Sequence, residues 1–324
     1  MKADGFGGHE DPADERAVSE GSAGRVALVT GGTGGIGHAV AVGLARGGDR
    51  VLFVGRDAER GARALAALRE ARPGVGHAFL RADLSLLSET ARVADEVSRL
   101  TDRLDAAVFC AGVLSTVPEW TEEGLERSLV LNYLSRYLLA RRLLPVLAEA
   151  PSGRLVFVSN AGMYGDTLDF DDLQYRRGKP GMRVAGRTQF ANDLLAVELA
   201  ERVSETRVEV TCVFPGVTGT DFLHNARGVP PIARLLGSAV LRLIAASPES
   251  AAQTPVYLAQ DAGAAGTGGR FFGPKLKQRT VPERAQRRER RTVLWAASEE
   301  LVRDHLPPGR PQRPRETLRR EPTS

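Results

Sequence analysis

The sequence predicts an α/β protein with a doubly wound parallel sheet, and three observations carry that expectation. Apolar runs of strand length alternate with helix-length segments from Val26 to Gly273. The runs are continuously apolar, as strands buried on both faces require. The first, Val26-Ala27-Leu28-Val29, leads through Thr30-Gly31-Gly32-Thr33-Gly34-Gly35-Ile36-Gly37 into a helical pattern that Gly47-Gly48 ends. Strand, glycine turn and helix in that order form the first half of a dinucleotide-binding unit. A Cβ in the turn would hold the backbone away from a pyrophosphate. The helix start offers that anion free N–H groups and a positive dipole end.

The remaining elements follow in order. Ile36 to Arg46 is the first helix, and Val51 to Gly55 the second strand. Arg56 follows, about 19 residues beyond Gly37. An acidic residue here would bind a ribose 2′-hydroxyl and favour NAD, whereas an arginine fork suits a 2′-phosphate and points to NADP. The plainer reading of Arg56 is a solvated side chain at a strand end. Glu59 to Glu70 is a helix stopped by Arg72-Pro73-Gly74, and His77 to Ala82 a strand ending at Asp83-Leu84-Ser85. Leu86 to Leu100 is a helix and Ala106 to Cys110 a strand running into Ala111-Gly112. Thr121 to Glu149 reads as one long helix containing Asn132, and Leu155 to Ser159 as the fifth strand. Gly181 to Val203 is a helix, and Val208 to Phe214 a strand followed by Pro215-Gly216-Val217-Thr218-Gly219-Thr220. Ser247-Pro248-Glu249 opens a further helix, and Gly269 to Gly273 makes a short last strand. The total is seven strands with helices on both faces.

The turn Thr30-Gly31-x-x-x-Gly35-Ile36-Gly37 resembles that of the short-chain dehydrogenase/reductase family. Leu294-Trp295 and the Ser-Glu-Glu-Leu that follows resemble the terminal segment of its retinol-dehydrogenase-like members. The resemblance covers about Gly24 to Val302 and implies a Rossmann-type fold, a nicotinamide cofactor and oxidoreductase chemistry. It implies that Asp83 and Leu84 line the adenine ring, and that Ala111 and Gly112 admit the cofactor to the backbone. It places Pro215, Gly216 and Thr220 at the nicotinamide amide and phosphates, and Asn132 at the active-site asparagine. Asn132 could equally be a polar residue facing a neighbouring strand. Family members often pair through the two long helices, here Thr121–Glu149 and Gly181–Val203, which implies a homodimer or homotetramer.

The chain departs from the family where protons move. The family uses a tyrosine and a lysine four residues later, on one helix face, so that the cation pulls the phenol pKa toward neutrality. In the stretch from Gly181 to Asn192 the tyrosine position is Ala185 and the lysine position Gln189. The strand-five serine pair becomes Ser159-Asn160, and Cys110 replaces the asparagine that braces the central strands. Tyr175 and Lys179 have the family spacing, but Pro180 pushes Lys179 out of helical geometry. Tyr164 offers a replacement phenol or packs against the pocket wall. Gln189 can hydrogen-bond a ribose hydroxyl, and Ser159 and Asn160 can polarise a carbonyl.

Composition narrows the function. The chain has 324 residues and a net charge of +4, but only four lysines among 44 basic residues. That ratio fits the codon bias of a high-GC bacterium better than nucleic-acid binding, and no basic stripe with interleaved aromatics occurs. Cys110 and Cys212 sit in apolar runs and read as buried thiols in a reducing cytoplasm. No metal-ligand spacing appears, and no apolar run is long enough to span a bilayer. Ile232 to Ala246 is amphipathic and covers a pocket, an interface or a membrane surface. Residues 1–23 and 303–324 read as disordered extensions of a single domain, 24–302. The expected function is an NADP(H)-binding enzyme with an altered site, acting on a small apolar molecule by reduction or by non-redox cyclisation or isomerisation, as in natural-product tailoring. The alternatives are a pseudoenzyme that binds nucleotide or a protein, and a non-redox enzyme that has lost the nucleotide.

Overall fold

The computed structural model describes residues 24–216, 226–229 and 246–307. The N-terminal extension, Thr220, residues 232–245 of the amphipathic stretch and residues 308–324 lie outside the described residues.

The first half alternates regularly: β1 (Val26–Thr30), α1 (Gly35–Arg46), β2 (Arg50–Gly55), α2 (Ala58–Ala71), β3 (Ala78–Arg81), α3 (Leu87–Leu100) and β4 (Ala106–Phe109). Then come α4 (Arg127–Leu129), a π turn (Val130–Leu134), α5 (Ser135–Ala148), β5 (Gly153–Val158), α6 (Met182–Arg202) and β6 (Val208–Val213). The described chain closes with α7 (Pro248–Gln260), β7 (Phe271–Phe272), β8 (Gln278–Arg279), α8 (Glu283–Gln286) and α9 (Arg288–Leu301).

The sheet order is β3-β2-β1-β4-β5-β6-β7-β8. All pairings are parallel except the last, where β8 turns back antiparallel on β7. The sheet therefore has eight strands, not seven. The eighth is two polar residues, Gln278 and Arg279, too short and too polar to show an apolar pattern.

Each strand sends alternate side chains to opposite faces. Leu28, Leu52, Phe109, Phe157 and Cys212 point into one core, beneath α3, α5, α6 and α9. Val29, Phe53, Val108, Val156 and Val213 point into the other, beneath α1, α2 and α7. This two-sided burial explains the continuous apolar runs.

The long helix expected from Thr121 begins instead at Arg127. Residues 121–126 form a turn, in which Thr121 N–H donates to Leu125 O at 2.8 Å. Buried Glu126 then caps the helix, accepting from the N–H groups of Ser128 and Leu129 at 3.1 and 2.7 Å. A carboxylate there satisfies two of the otherwise unpaired first-turn donors.

The C-terminal helix α9 packs against α5 and α6. Tyr133 and Ser298 share a hydrogen bond of 2.7 Å between their hydroxyls, Trp295 meets Tyr137 edge to face at 4.9 Å, and Arg291 pairs with Glu201 at 2.6 Å. Along this face α5 and α6 are thus covered by α9. The chain continues past Val302, and Leu306 packs against the core. Among the described residues no helix is long and apolar enough to cross a membrane.

Candidate active site

The strand order reverses between β1 and β4, so loops leaving their C-terminal ends diverge and leave a crevice. A cleft of about 520 Å³ lies there. Its wall includes Gly31, Gly35, Ile36 and Gly37 from the glycine turn, Arg56 after β2, Asp83 and Leu84 after β3, and Ala111 and Gly112 after β4. Nine residues singled out from the sequence therefore line one cavity. Thr30 stands behind it, its hydroxyl accepting from the N–H groups of Cys110 and Ala111, both at 3.1 Å.

The glycines are matched to the crowding. A Cβ on Gly37 would stand 2.3 Å from the carbonyl oxygen of Gly31. Gly31 has φ +69°, and a Cβ there would come within 3.0 Å of the Ala111 backbone. The turn therefore packs its own backbone tightly and keeps an open cradle at the start of α1, which fits a dinucleotide pyrophosphate. Arg60, Arg127 and Arg227 also line the cleft, Arg127 pairing with Asp83 and Glu119 and Arg227 with Glu119. Arg60 lies in the first turn of α2, just after Asp57 caps it.

Asn132 lies within the π turn, where Ser135 N–H reaches back to Val130 O. Its side chain makes three hydrogen bonds. Oδ1 accepts from Val113 N–H at 2.8 Å, while Nδ2 donates to Val113 O at 3.0 Å and Thr188 Oγ1 at 3.2 Å. Asn132 thus ties the loop after β4 to α6, and Asn192 Nδ2 donates to its main-chain oxygen at 2.9 Å. Such wide turns often mark functional sites.

Ser159 and Gln189 meet directly: Ser159 Oγ donates to Gln189 Oε1 at 2.9 Å. Ala185 is buried one turn earlier on the same helix. Asn160 follows Ser159, and its carbonyl accepts from Met163 N–H at 3.1 Å. Tyr164 is half-buried and its ring lies over Gly186, where a Cβ would come within 3.1 Å of it. Pro215 and Gly216 follow β6 on the same edge of the sheet, Gly216 with φ +95°. Tyr175 and Lys179 share no helix. Tyr175 sits in a turn with φ +58°, and the Arg187 guanidinium lies over its ring at 5.4 Å.

Buried polar residues that the sequence did not single out hold the site. Arg136, one turn beyond Asn132, donates to Ala111 O at 2.8 Å and Val158 O at 2.9 Å. It bridges the ends of β4 and β5 from a helix. Asp193, one turn beyond Gln189, accepts from Gly162 N–H at 3.0 Å. Arg279 and Arg284 donate to Ala161 O and Gly162 O at 3.1 and 2.9 Å. Together they hold the loop after β5, where Ala161 keeps a strained φ of +37°.

Burial pushes the Asp193 carboxyl up to about 7, against the opposing effects of the Gly162 N–H and Arg284. Raising a carboxyl pKa on folding gives stability that is full below the unfolded value, near 4, and is lost as pH rises through about 7. Asp193→Asn should therefore remove part of the decline in stability between pH 4 and 7. Urea unfolding of both proteins across that range checks this; equal slopes would refute it.

A short chain dehydrogenase family model matches residues 25–170. Human retinol dehydrogenase 14 is 32% identical over 296 residues, covering 86% of each chain. Mouse polyprenol dehydrogenase is 34% identical over 282 residues, covering 84% of this chain and 82% of its own. Among solved structures, an uncharacterised protein from Mycobacterium paratuberculosis matches at TM-score 0.65 and 25% identity, covering 88% of this chain and 95% of its own. A Shigella flexneri short chain dehydrogenase solved with NADP matches in fold at TM-score 0.60 and 23% identity, covering 77% of this chain and 96% of its own. The chain belongs to the short-chain dehydrogenase/reductase family, in its retinol-dehydrogenase-like branch.

Proposed function

We propose that this oxidoreductase-family protein binds NADP(H) and acts on a small apolar molecule through a site whose proton-transfer pair has been replaced. The cleft supports cofactor binding, because its glycines leave room for a pyrophosphate and because Arg56 and Arg60, which line it after β2, suit a 2′-phosphate. The single observation that carries the altered chemistry is the Ser159–Gln189 hydrogen bond. A neutral amide occupies the lysine position, and Ala185 has no proton to give. When bound, the nicotinamide supplies hydride. The chain's own part is to hold the cofactor, to orient a carbonyl with Ser159 and Asn160, and to leave protonation to water or Tyr164. Without the tyrosine, ordinary alcohol–ketone interconversion loses an acid/base contribution of roughly 10²–10⁴-fold.

An apolar substrate fits the surface. Trp120, Met163, Met182 and Leu276 are exposed large apolar side chains, all in segments following strand C-termini. Relatives named for retinol and polyprenol, both apolar alcohols, agree with that class. A tailoring step of natural-product type, in a reducing cytoplasm, suits these features.

Titration with NADPH and NADH tests the reading: tight NADPH and weak NADH binding are expected, and binding of neither would overturn it. Ala185→Tyr with Gln189→Lys should raise generic carbonyl reductase activity by one to two orders of magnitude, about the lower part of the acid/base range. A folded, NADPH-binding double variant without any gain would refute the assignment of those two positions.

A further inference from the structure

We infer that Arg136 is a fixed positive charge behind the nicotinamide end of the cleft, and that it makes the protein bind NADPH more tightly than NADP+. The inference rests on the cofactor reading above and concerns its redox form. The glycine turn at β1 marks the pyrophosphate position, and Arg56 and Asp83 lie toward β2 and β3, the adenosine side. The other half of a dinucleotide must extend toward β4 and β5, over Ala111, Gly112 and Ser159.

Arg136 is placed directly behind that half. It is 3% exposed, and its two donors hold the last carbonyls beside the site, Ala111 O and Val158 O. Its Nη2 would lie 3.8 Å from a Cβ on Gly112, a cleft-lining residue. Among the described residues no carboxylate pairs with it, the groups that act on its charge being the Cys110 and Cys212 thiols, and its buried Nε has no hydrogen-bond partner. Nearby titratable groups are the thiols Cys110 and Cys212, which burial keeps protonated; Cys110 is pushed up to about 12. Desolvation lowers Arg136 itself to about 10, so it remains charged at neutral pH.

A buried cation lacking a counterion is costly to retain for bracing alone. Its field is weakly screened where protein excludes water. The oxidised nicotinamide ring carries a positive charge that the reduced ring lacks, so Arg136 repels one form and not the other. Reduced cofactor is retained, and oxidised cofactor leaves more readily. Ala185 and Gln189 add no charge of their own, and Arg187 between them is paired with Glu126, which leaves Arg136 as the buried cation of this region without a carboxylate partner among the described residues.

The test measures dissociation constants for NADPH by fluorescence and for NADP+ by competition, in wild type, Arg136→Lys, Arg136→Gln and Arg136→Met. Wild type should prefer NADPH by about tenfold, the scale of one charge acting across a partly desolvated site. Arg136→Lys should keep the preference although the double carbonyl bridge is lost. Arg136→Gln, which still donates a hydrogen bond, and Arg136→Met should bring the ratio near unity. Equal affinities in wild type would overturn the inference without any variant. So would a folded charge-free variant that keeps the wild-type ratio. Failure of wild type to bind either form would instead overturn the cofactor reading, and this inference with it.

Discussion

Gly37→Ala should weaken dinucleotide binding by roughly a hundredfold, the loss that a displacement of about 1 Å causes in a positioned site. Stability should fall by about 3 kcal/mol, the upper part of the usual cost of overpacking. The cause is local. The new methyl would stand 2.3 Å from Gly31 O and 2.8 Å from Gly31 C, both backbone atoms that no rotamer change can move. Relief requires α1 to slide away from the turn, and that motion opens the cradle at the helix start. Gly34→Ala supplies the contrast. Its backbone is already extended, with φ −174°, and its methyl would meet only the outer guanidinium of Arg60, at 2.8 Å. That side chain can swing aside, so stability should stay within about 0.5 kcal/mol of wild type. Thermal melting and NADPH titration of both variants give the comparison. Similar behaviour of the two would show that the turn is not held by backbone contact.

The cofactor half of the site was legible because its chemistry is written in consecutive residues. A glycine turn between a strand and a helix has one geometry, and Arg56, Asp83, Ala111 and Gly112 follow at strand ends, where an α/β sheet gathers its ligands. The rest depends on side chains that meet only after folding. Ser159 and Gln189 are 30 residues apart in sequence, and their hydrogen bond becomes visible when α6 lies across the end of β5. Arg136 was hidden for another reason: arginine in a helix ordinarily reads as a solvated face, and nothing in Leu134-Ser135-Arg136-Tyr137 says that all four residues are buried. The start of α4 was misplaced because Glu126 was counted inside the helix it caps, and because Gly124, which takes φ +72° in the turn before it, was passed over as a break signal. Asn132 stands out in the sequence, but its contacts do not. It holds Val113 and Thr188 together, a linkage that only tertiary contact defines.

Removing Arg187 should cost about 3–5 kcal/mol, because it would strand the buried Glu126 carboxylate. The two groups meet at 2.5 Å, with side chains 2% and 1% exposed. Arg187 also donates to Leu173 O at 2.7 Å, so one guanidinium joins α6, the start of α4 and the loop before α6. Arg187→Met and Glu126→Gln should each be strongly destabilising. The double variant should lose less than the sum, since neither partner then leaves a charge unpaired. Glu126 would still be missed for a second reason, its capping of Ser128 and Leu129 N–H groups, so Glu126→Gln should retain more stability than Glu126→Ala. Denaturant unfolding of the four proteins closes the cycle, and additive losses would refute the coupling. The consequence reaches the site through Asn132. α4 runs directly into the π turn that carries it, and Thr188, which receives its amide, is the neighbour of Arg187. A loosened pair should therefore weaken cofactor binding even in the protein that remains folded, although neither residue lines the cleft.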